Sequence, residues 1–324
     1  MRLALRFDMR APSFGAERTR LYREMLNMVA WADQCGFSQV RISEHHGVPD
    51  GYLPAPLIAG AAIAARTERL RIGIAALVLT LHDPITIAEQ VAVLDHLSSG
   101  RLDLTLAAGY VPSELRMFGV DPRQRGSLME ESVRVLRTAW TGAEFEYRGR
   151  HIQVTPLPLQ RPHPPLYLGG STRAAAKRAA RLSMGLDTHL ADLYELYAQE
   201  AQMLGFKPSP PMKFGPGFLH VTENPTEDWA RIAPHAMYET NAYGKWAIEA
   251  GLDSSYKPID SADELRRQGA YAVVTPEECL ALSARLGEDA TLLFHPLMGG
   301  LDPEFSWKSL RLFERAVLPH IRRQ

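Results

Sequence analysis

Short apolar runs alternate with longer amphipathic stretches along almost the whole chain, and that rhythm constrains the fold more than any single residue does. Leu3–Phe7 reads as a strand and Arg18–Gln34 as a helix, with Gly36 placed to end that helix in a left-handed turn. Strands at Gln39–Ser43, Leu70–Leu79 and Leu102–Ala107 follow, with a helix over Pro56–Ala65 and another opened by Asp83-Pro84, a capping residue ahead of a first-turn proline. Met129, Val133, Leu136 and Trp140 then recur at helical spacing. The second half is less regular, with strands at Leu166–Leu168, Met184–Asp187, Phe218–Val221 and Ala290–His295. Its helices cover Thr172–Arg181, Asp192–Met203, a long stretch beyond Thr226, Pro276–Arg285, and a last one capped by Asp302-Pro303. Such β–α alternation demands a parallel sheet with helices outside it. Eight units in 324 residues favour a closed (β/α)8 TIM barrel over a doubly wound sheet. Residues 145–165, with five prolines from Pro156 on, break the rhythm. They read as an insertion between the fourth and fifth units, so residues 1–324 are expected to form a single domain.

A hydrophobic share of 46% and a charged share of 23% suit a large globular core. A net charge of −1 offers no general attraction to a polyanion or a membrane surface. No run approaches the ~18 apolar residues that cross a bilayer, and the apolar start is too short for a signal peptide. Cys35 and Cys279 are far apart, with neither a disulfide framework nor metal-ligand spacing. The expectation is a soluble, cytoplasmic protein with no nucleic-acid or membrane partner.

Reactive groups of a parallel barrel gather at the carboxyl ends of its strands, which selects candidates. Glu44, His45 and His46 follow the second strand, and strand alternation would send Glu44 and His46 one way and His45 the other. They can serve as a proton donor and acceptor set, since histidine titrates near neutrality. A solvated rim cluster accounts for them as well. A metal site would need ligands from several strand ends. The first strand ends Phe7-Asp8-Met9 without a His-x-His, and His82, His163, His189, His220 and His295 are scattered, so no catalytic metal is expected. Ala75 and Ala76 end the third strand, and Ala107, Ala108, Gly109 and Tyr110 end the fourth, with Glu114 and Phe118 beyond. Small residues there admit a flat ligand close to the backbone; tight packing explains them equally. Gly169, Gly170, Ser171 and Thr172 run from a strand into a helix, with Arg173 and Lys177 adding charge. Glycines ahead of a helix start can cradle a phosphate, or simply make a turn.

Three blocks taken in order, CGFSQVRISEHHG, RIGIAALVLTLHDPITIAEQVAVLDHLSSGRLDLTLAAGYVPSELRMFGV and PLYLGGSTRAAAKRAARLSMGL, resemble the bacterial luciferase-like family of flavin-dependent monooxygenases. The resemblance is strongest over residues 30–190 and implies a barrel holding a flavin at its carboxyl face. By that resemblance His45 matches the proton-transfer histidine, with Glu44 and His46 beside it. Ala75-Ala76 match a pair that can carry a non-prolyl cis peptide under the flavin ring, and Gly170 and Ser171 match the phosphate turn. The family has a phosphate-binding arginine where this chain has Ala108, which throws more of that task on Gly169–Thr172 and Arg173. The implied chemistry is oxidation of a small organic substrate with reduced FMN from a separate flavin reductase. A deazaflavin (F420) hydride-transfer enzyme and a non-catalytic flavin carrier are the alternatives. A homodimer through the second and third helices is also implied, with Ala59, Ala61, Ala62 and Ala65 small enough for close approach.

Overall fold

The structure, a computed structural model, describes residues 1–252 and 256–321. Its strands are β1 (Arg2–Phe7), β2 (Gln39–Ile42), β3 (Arg71–Val78), β4 (Leu102–Ala107), β5 (Phe145–Tyr147), β6 (Arg150–Ile152), β7 (Leu166–Gly169), β8 (Gly185–Asp187), β9 (Phe218–Val221), β10 (Tyr271–Val274) and β11 (Thr291–Phe294). Contacts gather the chain into two compact units, one of Met1–Arg41, Val48–Leu53 and Lys213–Gln324, the other of Ile42–Gly47 and Pro54–Met212.

In the second of these, β3, β4, β7 and β8 lie side by side and pair in parallel. Ile72, Ile74, Leu104, Leu106, Leu168 and Leu186 are all buried along them, the apolar content expected of strands covered by helices. The register matches Val78 with Ala107, Leu106 with Leu168, and Gly169 with Asp187. The carboxyl ends of four strands therefore share one edge, and the candidate segments at 75–78, 107–110 and 169–173 all leave from it. The helix Pro84–Leu97 starts as its sequence demands, with the Asp83 carboxylate accepting the N–H groups of Ile85 and Thr86 at 2.9 and 3.2 Å. Met129, Val133 and Leu136 of the helix Arg125–Ala139 are buried as their spacing predicts. The segment read as an insertion contains the antiparallel hairpin of β5 and β6 and then a proline-rich stretch.

In the other unit β11, β1 and β2 are neighbours, with β1 parallel to β11 and Leu5 opposite Phe294. The helix Arg18–Gln34 matches its predicted bounds, and Gly36 follows it at φ +68. Besides β5 and β6 in the segment read as an insertion, the sequence reading missed β10, which pairs in parallel with β9 in a sheet of two. Four residues between the helices Ala262–Arg267 and Pro276–Leu286 are too few for a periodicity to stand out. The helix Pro225–Glu249 runs through Pro234 and packs Trp229, Ile232 and Ala236 against Phe218, Tyr271 and Phe305.

His220, in β9, stacks on Phe305 with 4.6 Å between ring centroids and lies 3.2 Å from the Asp228 carboxylate. Burial pushes the imidazole down to about 4, overriding the pull of Asp228. An unfolded chain whose histidine keeps the ordinary value of 6.5 takes up the proton first, so folding stability declines as pH drops from 6.5 toward 4. Urea unfolding across that window will show this decline in the wild type, and His220→Gln will remove that part of it.

Candidate functional site

Glu44, His45 and His46 follow β2 directly, and their side chains diverge as strand alternation predicts. Glu44 is 2% exposed and accepts three hydrogen bonds. Its Oε1 takes Nε2–H of His46 and of His82, each at 2.6 Å, and its Oε2 takes the Val78 N–H at 2.6 Å. Burial alone would raise this carboxyl. The bonds from His46, His82 and Val78 outweigh it and hold the group at about 2, ionised at any ordinary pH. An ionised carboxylate only accepts, so both imidazoles carry a proton on Nε2. The same three side chains offer potential metal donors, but the 2.6 Å separations are those of hydrogen bonds.

His45 points to Glu114 instead. Its Nδ1 lies 2.7 Å from Glu114 Oε1, which also accepts the His46 backbone N–H at 3.1 Å. Glu114 is 3% exposed and comes from the short helix Pro112–Met117 beyond β4. A carboxylate on Nδ1 keeps the proton there and leaves Nε2 as the nitrogen with the lone pair, the form that accepts a proton. Tyr110 meets the His45 ring edge-on at 5.9 Å, and Phe118 meets His46 at 4.6 Å.

The small residues have definite roles in this geometry. The Ala75–Ala76 peptide is cis, and β3 slips one residue against β4 there. A Cβ on Gly169 would come within 3.0 Å of Thr105 Cγ2 and 3.7 Å of Ala76 Cβ, so the β7 end lies against the cis peptide. A Cβ on Gly170 would meet Ala175 Cβ at 2.6 Å, which requires glycine where the chain turns into the helix Arg173–Arg181. Thr172 caps that helix by accepting the Ala175 N–H, while Ser171, Thr172 and Arg173 stand exposed at its start. Gly109, at φ +70, packs against Val78 and Leu115, and the Ala108 carbonyl accepts the Thr80 hydroxyl at 3.1 Å. Ala107 and Tyr110 are half-buried.

Two members of the cluster were passed over in the sequence. His82 had been set among scattered histidines, and Glu114 had no role beyond following the fourth strand. Position at a strand end was the available signal for Glu114; nothing in the local sequence pairs His82 with Glu44, 38 residues earlier.

A family model described as luciferase-like monooxygenase matches residues 7–290. The oxygenase component of a flavin-dependent trigonelline monooxygenase from Acinetobacter baylyi is 30% identical over 175 residues, 52% of this chain and 48% of the relative. The chain spans half or less of the length of the first curated relatives it matches. Solved structures match end to end at low identity, which shows a shared fold. The oxygenating constituent of 3,6-diketocamphane monooxygenase from Pseudomonas putida, in complex with FMN, has TM-score 0.75 at 20% identity, covering 98% of each chain. An F420-dependent secondary alcohol dehydrogenase has TM-score 0.72 at 17% identity, covering 99% of this chain and 100% of that one.

Replacing Glu44 by Gln removes the charge that His46, His82 and Val78 converge on. Because the folded carboxyl sits at about 2 against an ordinary 4.5, its contribution is complete above pH 4.5 and fades as pH falls toward 2. Denaturant titrations should find Glu44→Gln less stable by on the order of 3 kcal/mol at neutral pH, with the gap from wild type closing over that acidic window.

Proposed function

The chain belongs to the luciferase-like monooxygenase family, and on that premise we propose that it is the oxygenase half of a two-component system. It binds reduced FMN supplied by a separate flavin reductase and oxidises a small organic molecule with dioxygen, in the cytoplasm. The reading takes residues 1–324 as one (β/α)8 barrel with an insertion at 145–165, in keeping with the end-to-end match to solved relatives.

The observation that carries the proposal is the His45–Glu114 pair, 2.7 Å apart and almost fully buried at the strand edge where Gly169 meets Ala76. The edge suits a flavin. Ala75, Ala76, Ala107 and Ala108 leave the backbone open to a flat ring, with Gly109 and Tyr110 bounding it. Gly170 holds a turn where a Cβ would collide with Ala175, and the helix start with Ser171, Thr172 and Arg173 presents donors and a positive charge to a phosphate. Reduced flavin supplies the electrons with which dioxygen is activated, one oxygen atom going to the substrate. His45 accepts and returns a proton through Nε2, Glu114 keeps its ring in the required tautomer, and Glu44 fixes His46 and His82 as the neighbouring wall.

Ala108 favours a second reading. With no arginine there, the phosphate contacts are fewer than in a typical family member, and an F420-dependent dehydrogenase or reductase would use the same edge for hydride transfer. A flavin carrier without catalysis would have no use for a buried histidine–carboxylate pair, which counts against it.

A homodimer through the helices Pro56–Ala64 and Pro84–Leu97 is part of the proposal. Ile58, Val93 and Leu97 are 74%, 47% and 54% exposed there, an apolar face of the kind that packs against a second copy. Ala59, named earlier as a contact residue, is buried within the chain, while Ala65 is exposed.

Two experiments follow. With reduced FMN and labelled dioxygen, the wild type should place one labelled atom in product when carbonyl, sulfonate and aromatic compounds are screened. His45→Ala should slow this at least about 100-fold while still binding reduced flavin; unimpaired turnover removes His45 from its role. In sedimentation the wild type should run as a dimer and an Ile58→Asp, Leu97→Asp double variant as a monomer, whereas a monomeric wild type would end the dimer proposal.

A further inference from the structure

Buried polar atoms without hydrogen-bond partners are few among the described residues, and six of the eight lie in one place. They are Asp8 Oδ2, Arg10 Nε and Nη2, Glu239 Oε1, and both ring nitrogens of His295. Such a concentration calls for a physical cause, since a buried polar group left unpaired costs about 1–3 kcal/mol. Asp8 follows β1 and His295 follows β11, two parallel neighbours with Leu5 opposite Phe294, so both sit at carboxyl ends of strands. Glu239 reaches them from the helix Pro225–Glu249. Exposure is 0% for Asp8 and His295 and 2% for Glu239.

Each carboxylate is half satisfied in the same manner. Asp8 Oδ1 accepts the Arg10 backbone N–H at 3.0 Å, and Glu239 Oε2 accepts the Tyr271 hydroxyl at 3.0 Å, which is itself bonded to Thr240. The other oxygen of each faces the imidazole: Asp8 Oδ2 is 3.6 Å from Nε2 and Glu239 Oε1 is 3.5 Å from Nδ1. These gaps are too long for hydrogen bonds. The two carboxylates face opposite ring nitrogens, yet one donor atom from each of Asp8, Glu239 and His295 lies within 4.8 Å of the other two, a spacing that a single ion can draw together. Bonds from Arg10 and Tyr271 to the remaining oxygens are the outer support that metal-binding carboxylates usually have.

Charge points the same way. Asp8, Asp50 and Glu239 carry three negative charges against two from Arg6 and Arg10. Arg10 is taken up by Asp50 and enclosed by Tyr52, Tyr243 and Trp246 at 4.7 to 5.2 Å, with its Nε 3.6 Å from Asp8 Oδ2. Arg6 donates to the Tyr243 hydroxyl at 3.0 Å and stands 3.4 Å from Glu239 Oε1. The carboxyl groups outnumber the guanidinium groups by one in this buried cluster, a difference that a bound cation would offset.

We propose that Asp8, Glu239 and one ring nitrogen of His295 bind a single divalent first-row cation of the zinc or manganese class, joining β1, β11 and the long helix of that unit. Two carboxylate oxygens and an imidazole nitrogen form a borderline-hard donor set suited to these ions. The site is separate from the Glu44–His46–His82 group, whose donors are already bonded to one another, and it does not depend on the proposed flavin chemistry.

The test uses the full chain, stripped of metal with a chelator and then dialysed against Zn2+ or Mn2+ alone without flavin. One equivalent per chain should be retained, and the melting temperature should rise by about 5 °C at about 100-fold excess over Kd. Tyr271→Phe, which only removes the outer hydroxyl, should weaken binding about tenfold to 100-fold. Asp8→Asn and His295→Gln should abolish binding, and His82→Ala should leave it intact. A wild type that retains no metal and melts at the same temperature with or without it overturns the proposal. Binding that persists in Asp8→Asn but is lost in His82→Ala overturns it as well.

Discussion

A carboxylate buried to 2% exposure stays ionised only where donors replace the water it has lost, and Glu44 has three of them. The consequence is structural as well as electrostatic. His46 is one donor, the Val78 N–H at the end of β3 is another, and His82 on the approach to the next helix is the third. One charged group thereby ties the segment after β2 to the end of β3 and to the start of the helix Pro84–Leu97. His45 lies inside that tied segment, so its ring can be held by Glu114 in a single tautomer without having to bind its own neighbours. Removing the charge would loosen all three attachments at once.

The other half of the edge is defined by what is missing from side chains. Gly170 leaves no room for a Cβ, which would lie 2.6 Å from Ala175 Cβ, and a Cβ on Gly169 would crowd Thr105 at 3.0 Å. The small residues sit where the carboxyl ends of β3, β4 and β7 pair in register. A titratable pair beside an open backbone edge and a helix start is an arrangement that can handle protons next to a flat, phosphate-bearing cofactor. On the proposed reading, the oxidising chemistry comes from the flavin, since the side chains themselves lack it.

Much of the scaffold was legible because its signals are local. Asp83-Pro84, the Leu102–Ala107 run and the 129, 133, 136 spacing each specify their element within a few residues, and all three appear where expected. β10 was not legible, since Tyr271–Val274 is short and flanked by helices. The site was legible by position but not by partnership. Glu44, His45 and His46 stand out at a strand end, and alternation sorts their directions correctly. Glu114 lies 69 residues from His45 and His82 lies 38 from Glu44, and no periodicity spans such distances. The same limit hid the second cluster: Asp8 ended a strand that lacked a metal motif and His295 was one of several scattered histidines, yet folding places them 3.6 Å apart. The cis peptide at Ala75–Ala76 was foreseeable only through family resemblance, because alanine carries no local signal for it.

The central claim is that this strand edge holds reduced FMN for oxygen chemistry, and an anaerobic titration of the purified chain against reduced FMN and against F420, followed by admission of dioxygen, tests it most directly. The account predicts that reduced FMN binds preferentially and that, once oxygen is admitted, a flavin absorbance distinct from that of oxidised FMN persists while bound. Preferential binding of F420, or immediate return of reduced FMN to its free oxidised spectrum, would contradict it.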